Sequence, residues 1–409
     1  MSMTRLCATA VLPLDITAKQ LEKLLKRHHW VHWTNGLDTK GITDQRRFYN
    51  RSTVELFRPQ AGGRWQLDIS DALGESLMLE HNDHIKLQSI TLLQLSDRAL
   101  VYLNISANEI ETDKVYNLQR QIVSFFPKKQ HSRLPNWRIG EQSKTLHQWL
   151  ADLLDIELSE DNYYSEDWFG HELPYCLHIE SNTTGQRQRD LLINLSAGAD
   201  PSRAGYTLSQ VEYDQLASNR FTVWSDWQAL QSNHRLVFVS AMDSNALRMN
   251  LSAQQYYVDL FALGLLQRMA FDGFQQEFTR ANNTAFKKLT KRINNFRKTF
   301  NITQVCSYPL AQRLYDYVVK RMQLRELEQR VFNEIEYHHQ EQQREQSSKF
   351  NLMLFSISVV AALILPLEAL STLLSLPEGQ RTSDFWWGVG ASSLGILIIM
   401  VLPVLLRRR

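Results

Sequence analysis

Two apolar runs near the C-terminal end constrain this chain more than any other feature. Residues 350–376 are 27 residues with a single charge, Glu368, and residues 385–406 are 22 with none. A helix crossing a hydrocarbon core of roughly 30 Å takes about 20 apolar residues. The pattern therefore predicts two membrane-spanning helices, joined by residues 377–384 into a tight antiparallel hairpin. Arg407, Arg408 and Arg409 follow the second run, while Arg344 and Lys349 precede the first. By the positive-inside rule both flanks are cytoplasmic. The expectation is a multi-pass protein of the cell (inner) membrane with both termini in the cytoplasm and lipid as one partner.

The remaining composition narrows the partners. A net charge of +2 over 409 residues gives no basic field, so nucleic acid is not expected. Cys7, Cys176 and Cys306 are odd in number and scattered, which suits a reducing compartment and offers neither a disulfide framework nor a zinc site. Asn-x-Ser/Thr triplets begin at Asn50, Asn104, Asn182, Asn194, Asn250, Asn282 and Asn301. They would suit an extracellular domain, but they arise easily in a chain rich in these residues, and the terminal arginines decide for the cytoplasm. The apolar run 6–14 resembles a signal peptide only until Pro13 and Asp15 interrupt it, so it reads as a first β-strand.

Periodicity divides the chain into an α/β domain (1–250), a long helical stalk (251–349) and the membrane hairpin with its basic tail (350–409). Leu21, Leu24 and Leu25 mark a helix over 18–29. Strands are expected at 53–57, 65–69, 85–95 and 99–105, and a helix on Val115, Leu118, Ile122 and Phe125. Leu146, Trp149, Leu150, Leu153 and Leu154 form another helix face. Further strands are expected at 174–179, 191–195, 221–224 and 236–239, without a strict βαβ rhythm. From Tyr257 to Phe300 an apolar stripe at steps of three or four predicts one very long helix, with a kink allowed between Gly264 and Gly273. Its end is basic, with Lys287, Lys288, Lys291, Arg292, Arg297 and Lys298 reading as a solvated face or a site for an acidic partner or lipid headgroups. After a turn at 306–309, no Gly or Pro occurs from Leu310 to Leu365, which predicts a stalk running into the first span. The histidines His338 and His339 point to different sides of that helix and do not chelate together. No phosphate-binding loop, nucleophile elbow or paired-histidine motif is present, so catalysis and a bound cofactor are not expected.

Several short stretches carry a resemblance. Residues 347–351 (Ser-Ser-Lys-Phe-Asn) enter the first apolar run, Leu365-Pro366-Leu367 interrupts it, Leu376-Pro377-Glu378 closes it, Trp386-Trp387-Gly388 opens the second, and three arginines end the chain. Together with an α/β domain and a long stalk, these residues resemble the CorA-type magnesium transporter superfamily over about 60 residues. The Gly-Met-Asn signature that ends that family's first span is missing: the chain reads Leu374-Ser375-Leu376-Pro377. The resemblance implies a homopentamer with five first spans around a pore, divalent cations such as magnesium as substrate and regulator, and loop residues Pro377 and Glu378 at the outer mouth.

On a helix, Asn351, Leu354, Ser358, Ala361, Leu365, Glu368, Thr372 and Ser375 share one face, and Ile357 lies near it. Polar groups in such a helix are costly unless they face water or a bundle interior. With five copies around a pore, as the resemblance implies, that face lines it; the resemblance implies Leu354 and Ile357 as an apolar constriction, and five copies of Glu368 would form a carboxylate ring. Two functions follow as expectations. One is a CorA-like cation channel or transporter; the other is a membrane-anchored sensor or effector on the same scaffold, without metal selectivity. The regulatory metal site is not assigned.

Overall fold

A computed structural model describes residues 3–14, 16, 18–95, 98–127, 133–158, 172–242, 253–280 and 283–374, together with 386, 387, 390, 394 and 395; of 362–374 it describes the backbone. In chain order the elements are β1 (Met3–Leu14), α1 (Ala18–Arg27), β2 (Val31–His32), α2 (Thr39–Arg46), α3 (Val54–Phe57), β3 (Arg64–Asp68), α4 (Ile69–Leu73), β4 (Leu77–Leu79), β5 (Asn82–Leu95) and β6 (Arg98–Glu111). Then come α5 (Val115–Val123), β7 (Asn136–Ile139), β8 (Gln142–Thr145), α6 (Leu146–Leu154), β9 (Tyr175–Ser181), α7 (Gln186–Ala197), α8 (Gln210–Ser218), β10 (Trp227–Ser232) and β11 (Arg235–Ala241). Four helices follow: α9 (Val258–Arg280), α10 (Asn283–Phe300), α11 (Pro309–Arg321) and α12 (Leu324–Leu374).

The strands make one mixed sheet in the order β10-β11-β9-β1-β6-β5-β4-β7-β8, with β2 and β3 attached through β5. β1 pairs antiparallel with β6 and β9, and β11 runs parallel to β9. Side chains alternate across a strand, so β1 sends Leu6, Ala8, Ala10, Leu12 and Leu14 into one core and Val11 into another. The first core lies under α1, α5, α6 and α7; the second holds Tyr102, Phe238 and the buried faces of α9 and α11. Every residue of β9 is buried, as expected for an inner strand covered on both faces.

Several local expectations change. Residues 191–195, read as a strand, lie inside α7, because a short apolar run does not distinguish strand from helix. The surrounding chain decides: Gly198 ends α7 with φ +70°. Residues 53–57 contain the short helix α3 rather than a strand, and 221–224 contribute only a bridge from Phe221 to Ala229. The stripe from Tyr257 to Phe300 belongs to two helices, α9 and α10, and α9 passes through Gly264 and Gly273 without interruption. The expected helix from Leu310 onward is split at Gln323, whose φ of +56° ends α11 before α12 begins.

The membrane hairpin is corrected. Among the described residues, no helix is long and apolar enough to cross a membrane. A C-terminal pair of spans is thus not shown, and the multi-pass location in the inner membrane falls with it. Two compact units are present, Met1–Val331 and Phe332–Arg409.

Candidate functional site

The residues expected to line a pore fall on α12, which continues without a break to Leu374. At 100° per residue, Asn351, Leu354 and Ser358 share one side and Ile357 lies at its edge. The backbone uses the Ser358 hydroxyl, which donates to the Leu354 carbonyl at 2.8 Å, as Ser356 does to Leu352 at 2.9 Å. For Leu365, Glu368 and Thr372 the helix backbone is described; their side chains, and Ser375, Pro377 and Glu378 altogether, lie outside the described residues. No carboxylate ring is built from them here. The segment is instead marked by exposure on all sides: Phe350 is 61% exposed, Leu352 69%, Leu354 46%, Phe355 48% and Ile357 53%.

A second centre ties the sheet to the helices. Asp259, at the start of α9, is fully buried. Arg64 of β3 donates from Nη1 to both its carboxylate oxygens at 3.0 Å, and the Tyr49 hydroxyl donates to Oδ2 at 2.5 Å. Arg58 stands further off, with Nη2 at 3.8 Å from Oδ2; it donates to the Gln255 carbonyl at 2.8 Å and lies over the rings of Trp33 and Tyr256. One carboxylate thus serves two buried guanidinium groups. The electrostatics separate them. Burial, then the neighbouring Arg64, holds the Arg58 guanidinium below its usual range. For Arg64 burial also works against the charge, but Asp259 and the facing tyrosines outweigh it and hold the group above its usual range. Burial and then the Asp259 carboxylate push the Tyr49 phenol well up, so it remains a neutral donor.

The sequence carries little sign of this cluster. Asp259 is the one charge in the apolar run 258–266, which is a signal of a partnered buried acid. Its partners lie 195 and more residues upstream, and nothing in their neighbourhood marks them. Sequence reasoning also missed a polar row across the sheet. The Thr9 hydroxyl donates to the side-chain Oδ1 of Asn104 at 3.1 Å, and Asn104 Nδ2 donates to Ser89 Oγ at 3.1 Å. That placement leaves the Asn104 triplet inside the sheet rather than on a glycosylated loop.

Two further groupings test for chemistry. A cleft of about 790 Å³ opens where the β4–β5 turn meets the end of β6, lined by Glu80, His81, Asp83, His84, Glu109 and Glu111 among others. Asp83 and Glu111 are paired there with Arg138 at 2.8 Å and Lys114 at 3.0 Å. Among the described residues no group of three or more His, Cys, Asp or Glu is arranged to hold a metal ion. His178 Nε2 and Ser240 Oγ stand 2.9 Å apart, a contact of the kind that activates a nucleophile. Both are buried on adjacent strands, and neither lines this cleft.

No family model, curated protein or solved structure matches this chain. The likeness to CorA-type transporters therefore rests on the residues quoted above. What the molecule itself adds is an α/β head, a buried charge cluster beneath its helices, and an unusually exposed apolar helix.

Proposed function

We propose that the protein is a non-catalytic sensor or effector, which assembles from identical copies through α12 and passes the state of its α/β head to that assembly. The observation that carries this reading is the exposed apolar run 350–361. A helix that is apolar all round is stable only when buried, and a contiguous apolar patch of this size marks an interaction surface. A single partner covers one side of such a helix; several copies cover more, and the resemblance implies five. The Asp259 cluster ties β3 to α9 through buried charge.

Sedimentation velocity of the full chain tests the reading. The parent is expected to run as a discrete oligomer, with five subunits on crosslinking. I357E, which introduces a charge into the exposed run, is expected to shift it to monomer while circular dichroism stays unchanged. A monomeric parent removes the proposal.

A further inference from the structure

Beyond the apolar run, two rows of opposite charge form a matched pair of surfaces. On α10, Lys287, Lys291, Asn294 and Lys298 are spaced 4, 3 and 4 residues apart, so they stand on one side. That side is opposite the buried stripe of Phe286, Leu289, Ile293 and Phe300. All four residues are exposed, and the three lysines make no ion pair among the described residues. Their neighbours Arg292 and Arg297 differ: Arg292 holds Glu277 at 2.6 Å, and Arg297 approaches Glu328 at 3.8 Å.

On α12, Glu334, His338, Glu341 and Glu345 repeat the same spacing of 4, 3 and 4. The three glutamates are exposed. Within this row, His338 stands 3.8 Å from Glu334 and 3.9 Å from Glu341. Each row rises roughly 16 Å.

The two rows fit in one direction only. Laid antiparallel, Glu334 meets Lys298, Glu341 meets Lys291 and Glu345 meets Lys287, while His338 faces the neutral Asn294. Laid parallel, His338 meets Lys291 and Glu341 meets Asn294, so one glutamate and one lysine lose an opposite charge. We infer that the lysine row of α10 in one copy receives the glutamate row of α12 in a second copy, antiparallel and in this register. The inference rests on the oligomeric reading above and specifies which charged surfaces meet in it. Complementary charge of this kind sets partner choice and orientation more than affinity.

Reversing one row at a time tests it. The chain with K287E, K291E and K298E sets glutamates against glutamates, and the chain with E334K, E341K and E345K sets lysines against lysines. Each alone is expected to weaken self-association by roughly tenfold or more, with circular dichroism unchanged because all six positions are exposed. An equimolar mixture of the two is expected to recover association well above either variant alone, since every contact between unlike copies regains opposite charges, while a ring with an odd number of copies keeps a contact between like copies and so recovers in part. Pairing of the rows within one chain is not rescued by mixing, so weakening without recovery overturns the inference. If the parent assembles and neither reversal changes its association, the inference falls and the oligomeric reading stands. A monomeric parent removes both.

Discussion

At the scale of single residues, Asp259 sets one negative charge against two buried positive ones. Its carboxylate is the shared partner of Arg64 and Arg58, and all three are buried. Removing one partner of a buried ion pair leaves uncompensated charge, which costs about 3–5 kcal/mol. Asp259→Asn is thus expected to lower the unfolding free energy by about that amount in urea denaturation; a loss under about 1 kcal/mol would mean that the cluster is solvated. Burial acts on neutral groups as well. It pushes the phenols of Tyr257 and Tyr315 up to about 12, against about 10 in an unfolded chain. A raised folded value means that these tyrosines stabilise the fold fully below about pH 10. That contribution is lost as pH rises from about 10 to about 12, where the phenolates form only at increasing cost to folding. Absorbance titration is expected to show a late phenolate fraction, and stability measured across the same range should decline.

At the scale of elements, Gln323 shows how a single residue overrides a pattern. The apolar stripe through Leu314, Leu324, Leu327 and Val331 has helical spacing, and no Gly or Pro interrupts it. The break arises because α11 packs on α9 at Gly264, where an added Cβ would stand 2.8 Å from Val318 Cγ1 and 3.1 Å from Met322 Sδ. Fixing α11 there turns the chain at Gln323, which takes a left-handed conformation with φ +56°. Its amide donates to the Lys320 carbonyl at 3.2 Å and its carbonyl accepts from Leu327 at 3.0 Å, so it closes one helix and opens the next. A side chain in that conformation costs about 1 kcal/mol. Q323G is therefore expected to raise stability by about 0.5 kcal/mol after the greater entropy of an unfolded glycine is set against it. Destabilisation in thermal unfolding would show that the Gln323 side chain contributes a contact of its own. The misreading of 191–195 has a related cause: Leu191, Leu192, Ile193 and Leu195 are buried in α7, and burial on several sides removes the period that distinguishes the two structures.

At the scale of the whole molecule, the chain alone determined strands such as β1 and β5, the helices with a single apolar stripe, such as α1 and α6, and the helical character of the stretches that form α9, α10, α11 and α12. These follow from local spacing, because a strand repeats every two residues and a helix every 3.6. The apolar composition of 350–376 was equally plain, but a span across a bilayer is a property of a folded helix and its surroundings, and none qualifies among the described residues. Only the tertiary structure brought Arg58 and Arg64 to Asp259 and Thr9 to Asn104. Those meetings are made by strand order and helix packing between residues far apart in the chain, where no local periodicity carries information.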